Sequence, residues 1–167
     1  DLQINMDGRK DNDIGTVNLL GDVKDGAHLG VSLAGFDGSD VMSVNAAGVD
    51  VGLGATLDIA LRGQFGDDKE FVNYFGQVKG KLNVQADGGP GADKIFANIN
   101  LAPGSTGAVT ASEAGGPGSD KMTLGVRKLF FLDPVTITAN INGGPDVDTS
   151  FATSNVTSNC ETQHIIP

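Results

Sequence analysis

The sequence predicts an all-β protein, a parallel β-solenoid that stacks about six coils into a wide roll of two sheets. Three observations predict it. A glycine-rich corner ending in Asp returns at a nearly fixed step; the segments on either side of it alternate apolar and polar residues; and no segment has the 3.6-residue period of a helix.

The corner is clearest as Gly88-Gly89-Pro90-Gly91-Ala92-Asp93, and it returns as Gly115-Gly116-Pro117-Gly118-Ser119-Asp120 and as Gly143-Gly144-Pro145-Asp146-Val147-Asp148. Weaker copies end at Asp13, Asp40 and Asp68. The leading glycines stand at 8, 35, 63, 88, 115 and 143. Glycine reaches positive φ without steric cost and Pro presets φ near −65°, so each copy reads as a tight turn.

Two strands flank each corner. The one before it places apolar residues at every second position, as in Leu2, Ile4, Met6; Leu29, Val31, Leu33; Leu57, Ile59, Leu61; and Leu82, Val84, Ala86. The strand after it does the same, as in Met42, Val44, Ala46; Ile95, Ala97, Ile99; and Met122, Leu124, Val126. Alternation of this kind marks a strand with one face buried. The copy at 108–114 is the weakest, because Glu113 falls on the inward phase. Irregular links such as 102–107 and 132–134 absorb the differences in period. An antiparallel meander or sandwich is the alternative, but it would set successive corners two strands apart and give their likeness no use. The chain is expected to form one domain over 1–167, with half-coils at 1–7 and 149–159 and a tail at 160–167.

The column Asp13, Asp40, Asp68, Asp93, Asp120 and Asp148 is the strongest chemical signal. Two readings stand beside each other. Asp is a good turn residue that bonds nearby backbone; equally, stacked carboxylates with turn carbonyls make an all-oxygen site for Ca²⁺. Residues 88–96 and 115–123 fit Gly-Gly-x-Gly-x-Asp-x-apolar-x, and the chain thereby resembles the repeats-in-toxin (RTX) calcium-binding β-roll proteins. The resemblance implies calcium as cofactor, held by Asp13, Asp40, Asp68, Gly88, Gly89, Gly91, Asp93, Gly115, Gly116, Gly118, Asp120, Gly143, Asp146 and Asp148. It departs from that family in placing the motif once per coil rather than on every half-turn. The segment from Asp148 to Glu161 also resembles the closing part of bacterial extracellular proteins built of such repeats.

Other columns run along the outward phase. Asn18, Asn45, Asn73 and Asn98 each follow the closing Asp by five residues, a spacing for a hydrogen-bonded ladder. Phe71 and Phe96 share a column, and with Phe75 they form an expected apolar patch for a partner.

Acidic residues outnumber basic ones 21 to 11, and the net charge of −10 disfavours nucleic acid and anionic membrane as partners. No run is long and apolar enough for a membrane span. The two histidines, His28 and His164, stand far apart, the lone Cys160 has no partner, and no nucleophile elbow or zinc spacing is present, so an enzyme is not expected. A calcium-dependent polysaccharide lyase, with Arg62 or Arg127 as base, is the weakest reading. The absence of a leading Met fits a secreted or cell-surface product, bacterial by the resemblance. The function expected is a calcium-binding structural protein of an extracellular fibre, matrix or adhesion system, self-associating head to tail. A monomeric calcium- or carbohydrate-binding module of a larger adhesin is the alternative.

Overall fold

The computed structural model describes the whole chain except Ser154, Glu161 and Pro167, with only the backbone of Ile166. Those residues belong to the expected terminal half-coil and tail and lie outside the described set. Among the described residues fourteen strands follow in order: β1 (Leu2–Asp7), β2 (Ile14–Asn18), β3 (His28–Asp37), β4 (Val41–Ala47), β5 (Thr56–Phe65), β6 (Lys69–Gly76), β7 (Lys81–Asp87), β8 (Lys94–Leu101), β9 (Ala108–Ala114), β10 (Lys121–Lys128), β11 (Thr136–Asn142), β12 (Thr149–Thr153), β13 (Thr157–Ser158) and β14 (Thr162–Ile166).

Odd strands form one parallel sheet, β1-β3-β5-β7-β9-β11-β13, and even strands form the other, β14-β12-β10-β8-β6-β4-β2. Each coil from β1 to β12 is therefore one odd strand, a glycine corner, one even strand and a link. This is the parallel solenoid of about six coils, and the antiparallel alternative is excluded by every ladder. Register follows the period read from the corners: Leu2 pairs with Leu29, Leu29 with Leu57, Leu57 with Leu82, Leu82 with Val109 and Val109 with Ile137. Like stacks on like, so the sequence step is also the spatial step. Among the coils between successive glycine corners, the shortest link, 77–80, lies in the shortest coil, while 48–55 and 129–135 are longer.

The inward side chains of both sheets meet in one core. Val44, Leu57, Leu61, Val72, Leu82, Ile99, Val109 and Leu124 are all buried there. At the link corner Val23, Val51 and Val78 stack through single parallel bridges and close the core on that side. At its far end the chain continues the roll: β13 pairs with β11 and β14 with β12, so residues 162–166 lie along the last even strand.

Glycine is needed at the corner for two different reasons. Gly89, Gly116 and Gly144 have positive φ; a Cβ on Gly116 or Gly144 would also press on the corner backbone of a neighbouring coil. Gln64 and Phe36, in the equivalent place of earlier coils, hold φ of 73° and 79° with side chains that disfavour it. The leading Gly63, Gly88, Gly115 and Gly143 need no positive φ; a Cβ there would strike Oδ2 of the closing Asp of the same corner.

Two outcomes in urea unfolding check this. Gln64→Gly relieves a left-handed residue and is expected to raise stability by about 1 kcal/mol. Gly115→Ala puts a methyl against Asp120 and should lower it by roughly 1–3 kcal/mol.

Candidate functional site

The closing Asp of each corner points into the roll. Asp40, Asp68, Asp93, Asp120 and Asp148 are between 0% and 3% exposed. Parity explains this: the buried residues of the following strand stand two, four and six positions on, so the Asp itself has the inward phase. The leading Gly has the same phase in the preceding strand, and the two inward positions face each other across the turn.

Each carboxylate bonds along the roll axis. Oδ1 of Asp40 accepts from the Asp13 N–H at 2.6 Å, Asp68 from Asp40 at 2.7 Å and Asp93 from Asp68 at 2.8 Å. Asp120 accepts from Asp93 at 2.8 Å and Asp148 from Asp120 at 2.9 Å. The result is a continuous ladder in which the acid of one coil ties down the backbone of the coil before it. Oδ2 of Asp40, Asp68, Asp93 and Asp120 is buried without a hydrogen-bond partner. Asp13, at the less covered end, uses Oδ2 to accept from the Arg9 N–H at 3.0 Å.

Two glutamates deepen this acidic zone. Glu70 on β6 and Glu113 on β9 are 0% and 2% exposed, on opposite sheets, and neither has a hydrogen-bond partner at its carboxylate. The backbone of Ala97 and Thr123 comes near Glu113 without reaching hydrogen-bond geometry. Glu70 interrupts a column of Met42 and Ile95, and Glu113 one of Ala86 and Ile141. No Lys, Arg or His is in ion-pair contact with any of these acids among the described residues.

Burial and mutual repulsion favour the protonated forms. Asp93 is pushed up to about 7 by burial, with the Asp120 and Asp68 charges adding to it against the hydrogen bond from Asp68. Asp120 rises to about 6 for the same first reason, and Asp68 is raised too. Glu70 reaches about 8 and Glu113 is raised strongly, both mainly by burial.

The remaining predicted site residues sit further out. Asp146 is exposed and its Oδ2 accepts from the Gly118 N–H at 2.9 Å; in the same way Asp67, which is not among the expected residues, accepts through Oδ1 from the Ala92 N–H at 2.9 Å. Gly88, Gly89, Gly91, Gly116, Gly118 and Gly143 form the turn backbone around the column. Among the described residues no three His, Cys, Asp or Glu side chains are grouped to hold a metal ion. A cation would therefore draw on the unpartnered Oδ2 atoms and backbone carbonyls, an all-oxygen donor set that fits Ca²⁺ in kind. Arg62 and Arg127 lie on opposite sheets, and Arg62 Nη1 is 3.5 Å from Ser32 Oγ. His28 Nε2 is 2.7 Å from Asp58 Oδ2, and Asp58 Oδ1 accepts from Asn83 at 2.7 Å. Sequence reasoning missed a second acid ladder at the link corner. There Asp22 accepts from the Asp50 N–H at 3.2 Å and Asp50 from the Gln77 N–H at 2.7 Å. The equal spacing of Asp22 and Asp50 with the coil period was its signal.

Comparison with known proteins gave no match: no family model, no curated protein and no solved structure aligns with this chain.

A carboxyl group raised in the fold binds protons more tightly folded than unfolded. Its stabilisation is complete below the unfolded value near 4 and is lost as pH rises through the folded value. In chelator, the melting temperature should therefore fall steadily from about pH 5 to about pH 8.5. Glu70→Met, which matches its own column, should raise stability at the upper end of that range by roughly 1–4 kcal/mol and flatten the slope. Differential scanning calorimetry across pH reads both.

Proposed function

We propose that the protein is an extracellular structural repeat protein whose glycine corners take Ca²⁺, in the manner implied by its resemblance to RTX β-rolls. The observation that supports the reading is the column of buried carboxylates, one coil apart, in which Oδ2 of Asp40, Asp68, Asp93 and Asp120 has no hydrogen-bond partner and no basic side chain makes an ion pair with them among the described residues. Carboxylates stacked about 4.8 Å apart repel one another unless something positive sits among them. Asp68, Asp93 and Asp120, with carbonyls of the surrounding glycine turns, would hold the ion. Bound there, Ca²⁺ supplies the countercharge that lets these acids stay ionised at neutral pH. The acids themselves fix coil register through their Oδ1 bonds, and the turn glycines leave the space they occupy.

The role is structural: a stiff roll for a fibre, matrix or adhesion system, in a secreted or cell-surface setting. Coil edges favour stacking of copies end to end. Ile14 and Leu2 on the β1–β2 coil are 79% and 59% exposed, an apolar surface that a second copy would cover. Such a head-to-tail contact extends without closing and makes a filament.

Burial favours protons as the second occupant of the column, since it pushes Asp93 up to about 7 and Asp120 up to about 6. The two readings separate cleanly. At about pH 8, calcium at 100-fold over its Kd should stabilise the fold by about 2.7 kcal/mol relative to chelator. Melting that is identical in calcium and chelator but steeply dependent on pH would replace calcium by protons. Electron microscopy across protein concentration checks the filament, which monodisperse particles alone would rule out.

A further inference from the structure

The outward face of the even-strand sheet differs from the rest of this acidic molecule. Lys69, Lys94 and Lys121 occupy one register position on β6, β8 and β10, so three ammonium groups stand in a row along the roll axis. All three are exposed, and none forms an ion pair among the described residues. No Asp or Glu stands on the outward phase of any described strand of this sheet. Like charges one strand apart repel, as the stacked acids inside do; each of these lysines directly follows a buried closing Asp in the chain, and Lys121 Nζ also sits over the Phe151 ring, 5.2 Å from its centroid.

Beside the lysines runs a second column, Phe71 paired with Phe96, 39% and 42% exposed. Beyond it lies the asparagine ladder, in which Asn73 donates to Asn45 at 3.1 Å and Asn98 approaches Asn73 at 3.5 Å. A side-chain amide in such a ladder uses one donor and one acceptor position and keeps others for solvent or ligand. The face thus offers three parallel tracks, cationic, aromatic and amide, each repeating at one strand spacing.

We infer that this face binds an acidic polysaccharide lying along the roll axis, a polymer with one carboxylate or sulfate for each sugar ring or so. Its anionic groups answer the lysine track, its ring C–H faces the negative faces of the phenylalanines, and its hydroxyls the amides. A polymer is favoured over a compact ligand because the tracks repeat in one direction. Duplex nucleic acid is disfavoured because it carries a charge about every 1.7 Å of axis, far denser than one lysine per strand, against a net protein charge of −10. A protein surface without a coil repeat of its own does not match three tracks at once. The inference does not rest on calcium at the corners, which lie on the inward phase.

The probe is polygalacturonate, with dextran as the neutral control, in chelator so that calcium bridging cannot contribute. Isothermal titration calorimetry should show polygalacturonate binding that weakens with salt, and no dextran binding. K69Q/K94Q/K121Q should weaken it at least about tenfold, and Phe96→Ser by severalfold, while K81Q, on the opposite sheet, leaves it unchanged. Should the triple variant fold poorly, amine acylation of the unaltered protein reads the same contact. Bound polygalacturonate should protect Lys69, Lys94 and Lys121 and leave Lys24 and Lys81 reactive. Absence of binding, equal binding by the triple variant, or equal acylation of all five lysines overturns the inference. So does tighter binding of duplex DNA, or self-association that the triple variant abolishes and polygalacturonate does not displace.

Discussion

Stacking coils at the spacing of a β-ladder brings each side chain about 4.8 Å from its equivalent in the next coil, so a residue choice in the repeat is multiplied into a column. Apolar columns gain from this, because Leu, Val and Ile pack against their own kind. Acidic columns are penalised, and the penalty is largest where the column is buried. The Asp ladder meets it in part: every Oδ1 from Asp40 to Asp148 receives a backbone N–H from the preceding coil. The charge itself remains, and a proton or a cation must answer it.

The rest of the corner follows from seating that ladder. The leading glycine is small because Oδ2 of the Asp occupies the place of its Cβ, and the next glycine turns the chain through positive φ. Glu70 and Glu113 extend the acidic zone into the core, where Met or Ile would have packed better. On the outer faces the same stacking gives asparagines a favourable hydrogen-bonded ladder and sets lysines of like charge in a row.

Much of the fold was legible because the repeat step, the strand alternation and the corner residues agree with one another. The steps between leading glycines reappear as the pairing offsets of both sheets, and Phe71, Phe75 and Phe96 face outward as their phase requires. The site was legible as a column but not as a buried one. Gly88 and Asp93 both carry the inward phase of their strands, a parity that turn chemistry obscured, because a glycine-rich corner reads as exposed. Glu113 showed as a flaw in its strand, whereas it belongs with Glu70 to an acidic interior. That association spans coils and opposite sheets, and no local pattern encodes it. The partners of β13 and β14 were hidden for a similar reason, since the corner motif does not return after Asp148.

The central claim is that an acid column lies inside the roll without basic partners. Carboxyl-carbon NMR titration in chelator tests it most directly. The account predicts that Asp93 titrates near 7, Asp120 near 6 and Glu70 near 8. Titration of all three at the ordinary values near 4 in the folded protein would contradict it.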